Sequence, residues 1–280
     1  MAEEHVEQVY RGRRGAAGSI IVLGLLLLVA VIMLFPFYFM IAQSFLPSTQ
    51  FAIGRGFSLV SWRALFQTIP VLRQLLNSSI VTIAAIAIIL FAATTAGYAF
   101  SKLSYPGSRL IFFLVVGSMM IPMQTIIIPE YVNLAGLRLI DHLSSAILVY
   151  AALGTPFGAF LVTSYLRGIP AEIMDAAVVD GASYYGIYYR LMIPMATPAL
   201  ITVAVLQFIQ IWDDLLIGLL FLQIPIVRTI TVGLATLQAS HITQIPVLMA
   251  GSLLSALPAA VLYLVFQRYI VSGLTMGMGK

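Results

Sequence analysis

RGIPAEIMDAAVVDGASYYGIYYRLMIPMATP, residues 167–198, is a polar stretch set between two apolar runs. It holds Arg167, Glu172, Asp175, Asp180 and Arg190, in a chain of 280 residues with only 14 basic and 10 acidic side chains. Pro170 suits the first position of a helix, where its missing N–H costs nothing. Glu172 and Asp175 follow where the positive end of the helix dipole favours acids. Gly181 can close that helix in the left-handed conformation. Ser183 is an N-cap for a second short helix running to Ile193, which Pro194 is expected to stop. The stretch therefore predicts a helix–turn–helix lying on a membrane surface.

The membrane follows from composition. The chain is 61% hydrophobic and 9% charged, whereas a soluble domain carries about 25% charged residues. Too few charges remain to solvate a globular surface, so the class is integral membrane protein. There are no cysteines, which excludes thiol catalysis, disulfides and cysteine metal sites. His5, His142 and His241 are far apart and show no metal-ligand spacing. The net charge of +4 is spread along the chain rather than gathered into a nucleic-acid footprint. Arg11, Arg13 and Arg14 precede an apolar run from Ile20 to Ala42. That run is longer than a signal-peptide core and lacks a small-residue cleavage site, so it is read as a retained first span.

A spanning helix needs roughly 20 mostly apolar residues. Six segments qualify, at about 19–42, 77–100, 110–132, 143–166, 197–222 and 247–270. The expected organisation is an N-terminal segment 1–18, a first span with its outer loop at 19–76, a core at 77–271 and a tail at 272–280. Arg11, Arg13, Arg14, Lys102, Arg109, Arg167, Arg190, Arg268 and Lys280 fall on one side of these spans. Arg55, Arg63, Arg73, Arg138 and Arg228 fall on the other. The positive-inside rule places the richer side in the cytoplasm, with both termini. The segment 167–196, between spans four and five, is then cytoplasmic.

Both short helices are sticky. Ile173, Ala176, Ala177 and Val179 lie on the first, and Tyr184, Ile187, Tyr188 and Leu191 on the second. Such a hairpin could rest in lipid headgroups or seat on a protein, since alanines allow close backbone approach and tyrosines suit half-wet interfaces. The acidic first helix is a poor partner for anionic lipid, which favours the protein.

The stretch resembles the EAA loop of permease subunits of binding-protein-dependent ABC importers, roughly E-A-A-x-x-x-G followed by I-x-L-P. Here it reads Asp175-Ala176-Ala177, then Gly181, and Met192-Ile193-Pro194 closes the unit. Asp180 before the glycine and Ala182-Ser183 after it resemble the sugar-uptake, MalG-like branch. NSSIVTI from Asn77, AGYAFSKLSYPG from Ala96, IWDDLL from Ile211 and the terminal SGLTMGMGK are similar to that branch in the same order. Two positions depart: the leading acid is aspartate, with Glu172 one turn earlier, and Trp212 is followed by Asp213-Asp214 where the branch usually has tryptophan–asparagine.

The resemblance implies an all-α integral membrane fold of six transmembrane helices with a cytoplasmic coupling helix–turn–helix between spans four and five. It implies that Glu172, Asp175, Ala176, Ala177, Asp180 and Gly181 dock on an ATP-binding subunit. It implies three kinds of protein partner: a second permease, a dimeric ATPase and an extracytoplasmic solute-binding protein, in a bacterial or archaeal plasma membrane. ATP and Mg would be held by the ATPase, with no cofactor in this chain. The tail resembles a phosphate loop only superficially, because the spacing from Gly273 fails and the sequence ends at Lys280.

Within the membrane, Gln207, Gln210 and Asp214 fall at i, i+3 and i+7 of span five, hence on one helical face. With Trp212 as a stacking surface they form a candidate polar wall for a hydroxylated solute. The competing reading gives Asp213 and Asp214 a structural role at the outer end, and Glu130 beside Pro129 has the same two readings. A secondary transporter using Asp213, Asp214 or Glu130 as a proton relay is the alternative function, but no inverted repeat supports it. A membrane enzyme lacks any histidine cluster or nucleophile–base spacing.

Overall fold

The computed structural model describes residues 16–47, 56–239 and 244–276, with side chains described for 20–47, 56–239 and 244–267. Arg11, Arg13, Arg14, Arg55, His5, His241, Lys280, residues 1–15 of the expected N-terminal segment and residues 277–280 of the expected tail lie outside the described residues. Among the described residues the fold is helical throughout, with no strand. The chain forms two compact units, Met1–Trp62 with Gln244–Leu253, and Arg63–Thr243 with Leu254–Lys280.

In the first unit, α1 (Ala16–Ser44) exposes its apolar side chains on every face, from Ile20 to Phe39. Such a helix needs lipid or a helix from another chain around it. Beyond it the chain is tied back on itself. The Ser61 hydroxyl donates to Leu46 O at 2.7 Å, and Phe45 stacks on Phe57 with ring centroids 4.7 Å apart. α2 (Val60–Thr68) begins there.

The second unit is built on α3 (Val71–Lys102) and α6 (Leu143–Arg167). Small residues let these two helices approach closely, which is how helices associate where lipid removes the hydrophobic driving force. A Cβ at Gly97 would lie 2.5 Å from Val162 Cγ1, and one at Gly158 would lie 2.9 Å from Ala93 Cβ. Gly97→Leu is therefore expected to separate the pair and reduce the monodisperse, detergent-stable fraction severely. Gly24→Leu on α1, where a Cβ meets nothing within 4 Å, should leave that fraction unchanged. Size-exclusion profiles of the two variants check this.

Between α3 and α6 the expected third span is not one helix. α4 (Ser108–Gly117), extended by a tight turn Ser118–Met120, meets α5 (Met123–Gly136) at a bend of 98°. Ile121 is extended, at φ −79° and ψ 117°, as the residue before Pro122 must be. The pair nonetheless carries the chain across. Lys102 Nζ, at the end of α3, donates to Ile169 O, just past the end of α6, at 2.6 Å. The two helices thus finish at the same end of the unit, so 103–142 returns the chain to the other.

After α6 come α7 (Ala171–Val179), α8 (Tyr184–Ile187), a π-turn at Tyr188–Met192 and α9 (Ile193–Asp213). The expected stop at Pro194 does not occur: residues Tyr184–Asp213 form one membrane-length rod. The π-turn explains this. Ile193 N–H bonds to Tyr188 O, five residues back, which shifts the ladder out of α register just where Pro194 lacks a donor. Span five thus lies earlier than the expected 197–222, and α10 (Leu216–Phe221) is a separate short helix. α11 (Ile230–Ala239) and α12 (Ile245–Met276) complete the chain. The core of this unit includes Ile89, Val162, Leu166, Ile187, Met192 and Phe221.

Candidate functional site

The unit 170–190 is shaped by local rules and fastened by distant ones. Pro170 is the N-cap of α7 rather than its first residue, and Glu172 lies in the first turn. The C-terminus closes with Gly181 N–H to Val178 O and Ala182 N–H to Ala177 O, both 3.0 Å. That is a Schellman motif, and Gly181 takes φ +80°, a conformation that costs other residues energy. The Ser183 hydroxyl then accepts from Gly186 N–H at 3.1 Å and caps α8.

α7 is divided lengthwise. Met174 and Ala177 pack on the core, while Glu172, Asp175, Ala176, Asp180 and Gly181 are exposed. Val179 is 87% exposed and Tyr185 80%, so both side chains are open to a partner. Between the helices lies an open groove of about 610 Å³ lined by Ala177, Gly181, Ala182, Ser183, Tyr185 and Tyr189, among others. Ile187 and Tyr188, expected among the sticky residues, are buried in the core instead. Because α8 runs straight into the fifth span rather than lying flat, its inner face belongs to the bundle.

Three contacts hold the ends of this unit to one face of α3. Lys102 takes the start, at Ile169 O. Tyr98 OH takes the other end, donating to Tyr184 O at 3.2 Å. Thr94 Oγ1 and Tyr188 OH share a hydrogen bond of 2.8 Å. The three residues stand four apart, one helical face, a spacing visible in the sequence although its partners are not.

The residues of the expected polar wall are not brought together. Gln207 is buried against α6, where a Cβ at Gly154 would lie 2.6 Å from its Oε1. Gln210 is exposed. Trp212 is buried, stacks on Phe208 at 5.2 Å, and its indole N–H donates to Ser255 O at 2.9 Å. α9 ends at Asp213, so Asp214 is off the helical face and caps the break: Oδ1 accepts from Tyr150 OH and from Ile217 N–H, each at 2.9 Å. Glu130 is half-buried on α5.

One anchor has no precedent in the sequence reading. Asp141, at φ +63°, accepts from Gln223 N–H at 2.6 Å and Ile224 N–H at 3.1 Å through one oxygen. It holds the chain after α10 to the start of α6. Among the described residues no three His, Cys, Asp or Glu side chains come together as a metal site.

No protein-family model matches the chain. Whole-chain comparisons do. The arabinooligosaccharides transport system permease protein AraQ of Halalkalibacterium halodurans is 31% identical over 259 residues, covering 89% of this chain and 92% of that protein. The crystal structure of a bacterial ABC transporter involved in the import of the acidic polysaccharide alginate shares the fold. Its TM-score is 0.78 at 22% identity, over 90% of this chain and 95% of that one. The crystal structure of a bacterial alginate ABC transporter in complex with an alginate pentasaccharide-bound periplasmic protein gives a TM-score of 0.63 at 14% identity, over 89% and 95%. Membrane-length apolar helices, the order of the motifs and end-to-end similarity to AraQ converge: the chain belongs to the permeases of sugar-importing ABC transporters, a family of multi-pass membrane transport proteins.

Proposed function

We propose that this chain forms, with a second permease subunit, the path of a carbohydrate through a bacterial or archaeal plasma membrane. α7 is the element on which a dimeric ATP-binding subunit seats, with ATP and Mg held by that subunit. A solute-binding protein delivers the sugar at the opposite face; the alginate transporter's complex with its periplasmic protein supports such a partner. The termini and α7 lie in the cytoplasm, in accord with the arginine and lysine bias.

The observation that carries this reading is the division of α7. Its inner face is packed on the bundle and its outer face presents acids, alanines and Val179 to solvent. A short rigid helix held this way converts closure of the ATPase dimer into movement of the attached spans. Ala176 and Gly181 permit close approach, and Glu172, Asp175 and Asp180 supply polar register. Ion-coupled transport through Asp214 has no such support, since its carboxylate accepts from Tyr150 and Ile217.

The test is purification of the tagged protein in mild detergent with identification of what accompanies it. An ATPase and a second permease are expected in stoichiometric amount. A lone monodisperse protein, under conditions that preserve a known importer complex, would overturn the proposal.

A further inference from the structure

We infer that α3 is the strut that carries movement from α7 to the segment 226–233, with Lys102 and Asn77 as its positioning residues. The inference rests on α7 being the ATPase seat. At the α7 end, Lys102, Tyr98 and Thr94 hold both ends of the 170–188 unit at 2.6, 3.2 and 2.8 Å. The other end is fastened as firmly. Asn77 Nδ2 donates to Ile226 O at 2.9 Å and Arg228 O at 3.0 Å. Ile230 N–H donates to Ser78 Oγ at 2.9 Å, where α11 begins. Gln74 packs its amide directly on Gly233.

What lies between is stiff. α3 is 32 residues long, so about 48 Å, and contains no proline. The other membrane-length helices do: Pro36 in α1, Pro156 in α6, Pro198 in α9 and Pro258 in α12, while the third span breaks at Pro122. Sharp bends in helices arise chiefly at prolines and π-turns; α3 has neither, and its Gly97 is packed tightly against Val162. Displacement of one end therefore appears at the other, whereas the remaining spans have joints that absorb it. The charge on Lys102 fits its place, since Ile169 O follows the negative end of α6.

The experiment uses the complete complex in proteoliposomes, reading sugar taken up per ATP hydrolysed, and ATP hydrolysis with and without loaded binding protein. Lys102→Met and Asn77→Leu remove donors some 25 residues apart on one helix, about 38 Å. Each is expected to keep the ATPase bound and its basal hydrolysis, and to lower uptake per ATP by about tenfold, the cost of one lost hydrogen bond in the moving part. Lys102→Arg, which still reaches the carbonyl, should restore the ratio, and Asn77→Ser is the milder variant should Asn77→Leu not assemble. Unchanged uptake per ATP in Lys102→Met and the Asn77 variants, or uptake falling only with protein amount, would overturn the strut. Failure of the unaltered protein to bind any ATPase would instead overturn the docking role of α7.

Discussion

Gly181→Asp is expected to abolish sugar uptake while the protein inserts normally and stays folded. The backbone argument sets the cost to the fold. Gly181 adopts φ +80°, which costs an ordinary residue roughly 1–2 kcal/mol, with aspartate and asparagine among the residues that tolerate it best. A Cβ there meets nothing within 4 Å, so no internal clash follows. The new carboxylate sits beside Ala182 and Ser183 on the open groove, where the ATPase must approach. An unpaired charge trapped in such an interface costs about 2–5 kcal/mol, a roughly thirtyfold or greater loss of docking. Gly181→Asn separates the causes, since it has the same backbone tolerance without the charge, and it should retain most uptake. Uptake and membrane abundance, measured together, check the prediction; normal uptake in Gly181→Asp would remove α7 from the docking role.

Asp214→Leu is expected to unfold the join between α9 and α10. The carboxylate is the common acceptor for Tyr150 OH and Ile217 N–H, and leucine strands both donors. Each buried donor left unsatisfied costs about 1–3 kcal/mol, a large fraction of the stability of most folds. A marked fall in melting temperature should result, in detergent and without any partner present. Asp214→Asn keeps an oxygen in the same place and should melt close to the unaltered protein. Reduced solute affinity in Asp214→Asn, with melting unchanged, would give this residue a direct part in the pathway.

What the sequence showed depended on how local the governing rule was. Gly181 and Ser183 were legible because a left-handed helix end and a hydroxyl cap concern only neighbouring residues. The apolar runs were legible because the bilayer sets their length. Pro194 was misread: proline usually ends a helix, and the π-turn before it that allows continuation has no clear sequence signal. The bend within the third apolar segment was not legible, because hydropathy records depth and not direction, so an angle of 98° leaves it unaltered. Asp214 presented two readings because an acid in a span can face water or a neighbour, and Trp212 was read only as a stacking surface. Their bonds to Tyr150 and Ser255, remote in sequence, are not legible there. Lys102 was placed by its charge alone; its bond to Ile169 O joins residues that no local pattern connects.

The broken third span also sets how the protein meets membranes of different thickness. A straight helix answers a thinner bilayer by tilting as a whole, which drags its neighbours. Each arm of this one is only about 20 Å long, against about 30 Å of hydrocarbon. A change of angle at Ile121–Pro122 would alter the depth the pair covers without requiring α3 and α6 to repack. Lipid composition should therefore act on this protein first at residues 118–123. Hydrogen exchange of those amides in short-chain and long-chain nanodiscs should differ more than exchange anywhere in α3.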